Sequence, residues 1–170
     1  MHLSRSLAAV SAALLLAAAM PQPAQAREMV GFSEPYASGT IVVKTSERKL
    51  YYVLGNGSAL RYPVGVGRAG KQWSGSARID GKQLSPAWAP PAEIRRDKPS
   101  LPSVIPGGAP SNPMGAAAMT LSGGEYAIHG TNAPGSIGGF VSYGCIRMHN
   151  SHVLDLYARV SVGTQVVVTR

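Results

Sequence analysis

The sequence predicts a predominantly β domain, either a sandwich or a partly closed barrel. Short β-branched or alternating runs recur between turn residues, and only one segment carries a clear helical period. A third observation is the distribution of proline: eight of 13 lie between Pro86 and Pro113. Proline fixes φ and removes a backbone donor, so that segment is expected to hold neither a helix nor a central strand. The chain has 170 residues, room for one domain and a short appendage. With 45% hydrophobic and 14% charged residues it is a folded chain rather than a disordered one.

The elements follow in order. Met1–Ala26 has Arg5 and no acid near its start, an apolar run over Leu7–Met20, and Ala24-Gln25-Ala26 at its end. That order of basic region, apolar region and A-x-A site is the pattern of a secretory signal peptide cut after Ala26. An apolar run of this length spans about 21 Å as a helix, short of a roughly 30 Å hydrocarbon core. Residues 27–39 are read as an N-terminal extension and 40–170 as the functional domain. Thr40–Lys44 is β-branched, and Thr45–Arg48 is a polar turn. Leu50–Leu54 alternates, and Ala59–Val66 is its partner across Gly55-Asn56-Gly57-Ser58. Asn-Gly between two such runs favours a type I′ hairpin turn. Pro63 in that strand is more tolerable at an edge or a bulge.

Glycines at 65, 67, 70 and 75 suggest turns near Trp73. Pro86–Pro113 is expected to be a packed loop, because Trp88 and several aliphatic residues give it something to bury. Such a loop either covers the substrate or pads the fold. Ala116–Leu121 is a short apolar run, followed by a Gly-Gly turn and the strand-like Glu125–His129. Ser151 is a candidate cap for a short helix, since Val153, Leu156, Tyr157 and Val160 recur at helical spacing. Gly163 ends that helix, and Thr164–Thr169 is the last strand.

The formal net charge is +8, and +7 without the leader's single Arg. The basic residues are scattered, which argues against a nucleic-acid partner. Attraction to an anionic envelope polymer fits the charge, as does a merely soluble basic surface.

The chemistry concentrates in Ile128–Met148. Cys145 is the only cysteine, so it can form no internal disulfide. A cysteine nucleophile needs a base to make thiolate, and His129, at a strand end, can meet Cys145 if the Gly-rich loop 131–144 turns back. A buried structural thiol and a satisfied sheet histidine are the plainer readings of the same two residues. No carboxylate is well placed to orient the imidazole: Glu125 is some 13 Å along the strand, and Asp155 falls on the following helix, at its surface. The Gly130 carbonyl is therefore expected to accept the Nδ1 proton, and the amides of Tyr143, Gly144 and Cys145 are candidate oxyanion donors. Zinc on Cys145, His149, His152 and His129 is a competing chemistry, but their spacing does not place them on one helix face. Gly135–Gly139 lacks the Lys-Ser/Thr that a phosphate loop requires.

The segment His129-Gly130-Thr131-Asn132 … Ser142-Tyr143-Gly144-Cys145-Ile146-Arg147-Met148 resembles the signature of the L,D-transpeptidase catalytic domain, the YkuD-type fold. The resemblance extends to Tyr62–Gly67, Pro86–Pro91 and Asn112–Gly115, and so covers nearly all of Gly39–Thr169. Papain-like enzymes place Cys before His, so the order also discriminates. The resemblance implies a β-sandwich of mixed sheets with a short helix after the catalytic Cys. It also implies Cys145 as nucleophile, His129 as general base and Gly130 as the residue whose carbonyl orients it. Ser142, Gly144 and Arg147 match motif positions near the thiol. Arg147 either meets a substrate carboxylate or ties down the loop. Many members carry His where this sequence has Tyr143. The implied activity is peptidoglycan transpeptidation without metal or organic cofactor. The donor is a tetrapeptide stem attacked at its third residue, a meso-diaminopimelate, with release of D-alanine. The acceptor is another stem, a lysine of an envelope protein, or water. The implied compartment is the periplasm and cell wall, and the implied thioester chemistry makes the thiol a target for carbapenems. A catalytically dead peptidoglycan-binding module is the rival reading.

Overall fold

The computed structural model describes residues 27–124 and 126–170. The leader, and Glu125 with it, lie outside the described residues. Among the described residues eleven strands form, and nine of them make one mixed array in the order β1-β4-β3-β2-β11-β6-β7-β8-β10. They are β1 (Glu28–Gly31), β2 (Ile41–Lys44), β3 (Lys49–Gly55), β4 (Ser58–Pro63), β5 (Val66–Gly67), β6 (Gly75–Leu84), β7 (Ala117–Leu121), β8 (Ala127–His129), β9 (Phe140–Ser142), β10 (Ile146–Arg147) and β11 (Gln165–Thr169). The small parallel pair β5–β9 stands apart.

The long strand β6 joins the two halves of the array. Its first residues pair with β11, and the remainder pairs with β7 across a register shift between Ile79 and Gly81. The sequence reading missed this strand, taking Gly75 as a turn. Arg78, Asp80 and Lys82 interrupt any apolar run, and the strand is held by neighbours on both sides rather than by its own pattern.

The predicted hairpin β3–β4 closes through Asn56 and Gly57, whose φ values of 50° and 71° are those of a type I′ turn. Strand β1 pairs with Ser58–Arg61 of β4 and stops there. Pro63 therefore lies where β4 has no neighbour on the β1 side, as a missing N–H requires. Alternation in β2 decides which face each residue covers. Ile41 and Val43 enter the main core with Tyr62, Met119, Ile128 and Leu156. Val42 faces the other way and packs with Phe32, Tyr51 and Val53. The segment after β1, through Phe32 and Tyr36, thus covers the outer face of the sheet.

Two helices correct the sequence reading. Helix α1 (Ala92–Asp97) forms inside the proline-rich segment. Its start tolerates proline, since the first N–H groups of a helix have no intrahelical acceptor, and Pro91 occupies the position just before it. The helix ends ahead of Pro99. Helix α2 (Asn150–Arg159) begins after His149, with no side-chain cap, so Ser151 lies inside its first turn. Val153, Leu156 and Val160 are buried as the spacing predicts, and His152 joins them. Asp155 is half-buried rather than superficial and accepts a 2.6 Å hydrogen bond from the Tyr62 hydroxyl in the core. Among the described residues no helix is long and apolar enough to cross a membrane.

Candidate active site

Strands β8 and β10 run parallel, with Ile146 opposite Ile128 and Arg147 opposite His129. Cys145, one residue before β10, is carried to the neighbourhood of Ala127. The glycine-rich return predicted for residues 131–144 thus brings the thiol and the imidazole onto adjacent strands. Both line a cavity of about 480 Å³, together with Arg147, Ser142, Tyr143 and Tyr126.

His129 is buried, and its Nδ1 lies 2.7 Å from the Gly130 carbonyl oxygen. A carbonyl only accepts, so Nδ1 carries the proton and the other ring nitrogen is left to act as a base. Burial, reinforced by the Arg147 charge on the neighbouring strand, pushes the imidazole down to about 4, against the opposing pull of the Gly130 and Pro113 backbone. Burial also raises the Cys145 thiol above its ordinary range, while the Ala127 backbone and the Arg147 charge draw it down. The resting pair is therefore a neutral thiol and a neutral imidazole. A neutral imidazole can accept the thiol proton only above its own pKa. The acid limb of kcat/KM is accordingly expected near pH 4, with the rate lost as pH falls through it. A pH–rate profile with its midpoint at 6.5 would contradict a buried, desolvated base.

The loop that carries Cys145 is fixed plane by plane. The Ser142 hydroxyl accepts the Gly144 N–H at 3.1 Å and donates to the Cys145 carbonyl at 2.6 Å. Trp73 Nε1 donates to the Gly144 carbonyl at 2.9 Å. The 144–145 peptide is planar and trans, so fixing its carbonyl towards Trp73 turns the Cys145 N–H the opposite way. The Gly144 N–H is engaged by Ser142, which narrows the oxyanion candidates to the amides of Tyr143 and Cys145. Trp73 stacks on Tyr126 with ring centroids 5.1 Å apart and planes inclined by 10°. Gly144 has φ of 125°, and a Cβ there would collide with the Tyr126 ring.

Sequence reasoning did not single out Tyr126 or Asn150, and met Trp73 only as a landmark. Asn150 Oδ1 accepts the N–H groups of Ala116 and Thr131, both at 3.0 Å, and Nδ2 donates to the Thr131 carbonyl. It thereby ties the start of α2 to the strand end that bears His129. A Cβ at Gly115 or Gly130 would collide with its side chain, a signal visible only in three dimensions.

Arg147 separates its two expected roles. Its backbone, not its side chain, ties the loop, exchanging hydrogen bonds of 2.8 and 2.9 Å with Gly65. The residue also lines the cavity, and its Nε is buried without a hydrogen-bond partner among the described residues. Tyr143 is tied to α1: its hydroxyl donates to Asp97 at 2.5 Å, and the Arg68 guanidinium lies 3.9 Å above its ring. Arg68 also binds Asp97, at 3.0 Å, and Lys71 pairs with Glu93 of the same helix. Trp88, Pro91 and Ile94 bring the proline-rich segment to the cavity wall. The zinc alternative lacks a site, since no three His, Cys, Asp or Glu side chains converge among the described residues. His152 instead packs edge-on to Tyr62, 5.7 Å between centroids.

A family model described as the L,D-transpeptidase catalytic domain matches residues 38–168. The chain belongs to that family. Among curated relatives of this family, the probable L,D-transpeptidase YbiS of Escherichia coli is 40% identical over 135 residues, 74% of this chain and 43% of its own length. The probable L,D-transpeptidase ErfK/SrfK of Salmonella typhimurium is 41% identical over 133 residues, 74% of this chain and 42% of its own. The chain thus spans less than half the length of these relatives. An L,D-transpeptidase from Mycobacterium smegmatis has the same fold, with a TM-score of 0.62 at 18% identity over 78% of this chain and 59% of that one. L,D-transpeptidase 3 of Mycobacterium tuberculosis gives 0.58 at 16% identity, over 78% and 61%. The mixed-sheet β architecture implied by the sequence is therefore the fold of this family.

Proposed function

We propose that this chain is an exported peptidoglycan L,D-transpeptidase with Cys145 as nucleophile and His129 as base. The observation that carries the reading is the meeting in one cavity of Cys145, His129 and Arg147, whose buried Nε has no hydrogen-bond partner among the described residues. His129 takes the thiol proton as sulfur attacks the carbonyl of the donor's third residue. Amides of Tyr143 and Cys145 receive the oxyanion. The tetrahedral centre collapses, the C–N bond breaks, and the D-alanine amine leaves with the proton held by His129. An acceptor amine then attacks the thioester, gives its proton to His129, and the departing thiolate takes that proton back. Atoms balance with no metal or organic cofactor. Arg147 is placed to bind a donor carboxylate, a bidentate pairing that suits guanidinium. The leader sequence supports delivery across the inner membrane to the periplasm and wall, and the surplus of cations supports contact with an anionic polymer.

Purified tetrapeptide muropeptides incubated with the protein and analysed by mass spectrometry test this reading. D-alanine release accompanied by 3–3 dimers supports it. Release with tripeptides as the sole product makes water the acceptor and the enzyme an L,D-carboxypeptidase. An added lysine-bearing envelope peptide, if joined to the stem, identifies that acceptor class. Binding without any turnover would leave only a peptidoglycan-binding module.

A further inference from the structure

Asp80 has no part in the chemistry above, yet it lines the same cavity as Cys145 and His129. The chain has 16 Lys+Arg against 8 Asp+Glu, so carboxylates are outnumbered and readily paired. Glu28, Glu34, Glu47, Glu93, Asp97 and Asp155 all sit in ion pairs. Among the described residues Asp80 is the one side-chain carboxylate without a cationic partner. Its placement is built into the sheet. In the β6–β7 ladder Ile79 faces Leu121 and Gly81 faces Thr120, so Asp80 is the extra residue of a bulge, a device that re-aims a side chain. The Thr120 hydroxyl donates to the Asp80 carboxylate. Gly81 makes this possible, since a Cβ there would stand 2.6 Å from Thr120 Oγ1.

We infer that the Asp80 carboxylate receives a substrate ammonium, namely the free side-chain amine of the diamino acid at the donor's third position. The inference rests on the transpeptidase reading and adds the group that selects the donor. Distance distinguishes the donor amine from the acceptor amine. The Cys145 sulfur accepts a hydrogen bond from the Ala127 backbone N–H, and Thr120 is the partner of Ala127 on the next strand. Asp80 is one strand further, so about 10 Å separates its strand from that of Ala127. Six bonds lead from the scissile carbonyl carbon of a meso-diaminopimelate to its distal nitrogen, a reach of about 7 Å. With roughly 3 Å at each end for the attacking sulfur and the ammonium–carboxylate hydrogen bond, the donor side chain spans the gap. An attacking acceptor amine must instead lie about 3 Å from the thioester carbon, and cannot rest on Asp80 at the same time. Arg147 and Asp80 would then hold the opposite charges of one donor.

The test separates binding from turnover. A tetrapeptide with its side-chain amine free, and the same peptide N-acetylated there, are titrated into the Cys145→Ala protein and into Cys145→Ala/Asp80→Asn. The free amine is expected to bind roughly fivefold tighter when Asp80 is present, and the preference should vanish with Asp80→Asn and shrink as salt rises. In the active protein, Asp80→Asn alone should raise the KM for D-alanine release, without added amine, by a similar factor and leave kcat nearly unchanged. Equal binding of the two peptides to the Asp80 protein overturns the inference. An effect of Asp80→Asn confined to the KM of an added acceptor overturns the donor assignment and gives the carboxylate to the acceptor. Should the protein release no D-alanine at all, the transpeptidase reading fails, while the titration still decides whether Asp80 selects the amine.

Discussion

Replacing Cys145 with Ala is expected to reduce D-alanine release by on the order of 10⁴-fold or more, to the background of the assay. The loss is large because in the proposed mechanism the thiol supplies the covalent bond itself, and the Ser142 and Thr120 hydroxyls of the same cavity donate to the Cys145 carbonyl and to Asp80. Folding should be nearly unchanged. Alanine keeps the backbone of a residue whose carbonyl is held by Ser142, and removes one partly buried sulfur. Circular dichroism and the melting temperature provide that check. Intact-mass measurement after exposure to a carbapenem provides a second readout: a covalent adduct on the unmodified protein, and none on Cys145→Ala. Turnover above about a hundredth of the original would remove Cys145 from the mechanism.

Gly144→Ala should also be strongly damaging, by a different route. At φ of 125° the residue sits in backbone space that costs an L side chain about 1–3 kcal/mol. The new methyl group would also collide with Tyr126, whose ring is held by its stack on Trp73. Relief requires either the loop or the aromatic pair to move. Moving the loop turns the 144–145 peptide away from Trp73 and misdirects the Cys145 N–H, so a loss of kcat of at least about 100-fold is expected with the removal of one oxyanion donor. The double variant Gly144→Ala/Tyr126→Ala separates the two causes. It removes the collision and leaves the backbone strain, so activity should recover in part and the melting temperature should not return fully. Gly144→Ala with normal kcat would mean that the loop geometry is not what orients the amide.

Legibility in the sequence followed the range of the interactions. The β3–β4 hairpin was legible because Asn56 and Gly57 supply the two positive φ angles between alternating runs, a local matter. Helix α2 was legible from the spacing of Val153, Leu156 and Val160, although its first residue was not, since no side chain caps it. Helix α1 was misread because proline was weighed by its density rather than by position. Pro91 at the helix start is harmless where the same residue one turn later would break it. Strand β6 was invisible because the pairing that holds it comes from β11 and β7, far away in sequence.

The site divides in the same way. Residue chemistry and order by themselves determined that Cys145 and His129 were the pair worth bringing together, and with Gly130, Ser142, Gly144 and Arg147 they carried the resemblance to the family. Tertiary structure alone decided what surrounds them. Parallel pairing of β8 with β10 sets the Arg147 charge beside His129, and burial there lowers the imidazole to about 4. Trp73 reaches Gly144 from 71 positions upstream, and Asp80 reaches the cavity through a bulge whose partner strand begins at Ala117. The physical reason is that a sequence records which groups can donate, accept or ionise, whereas dielectric, orientation and the identity of the nearest charge arise from contacts between segments. The single cysteine was conspicuous in the sequence, and its surroundings came from the fold.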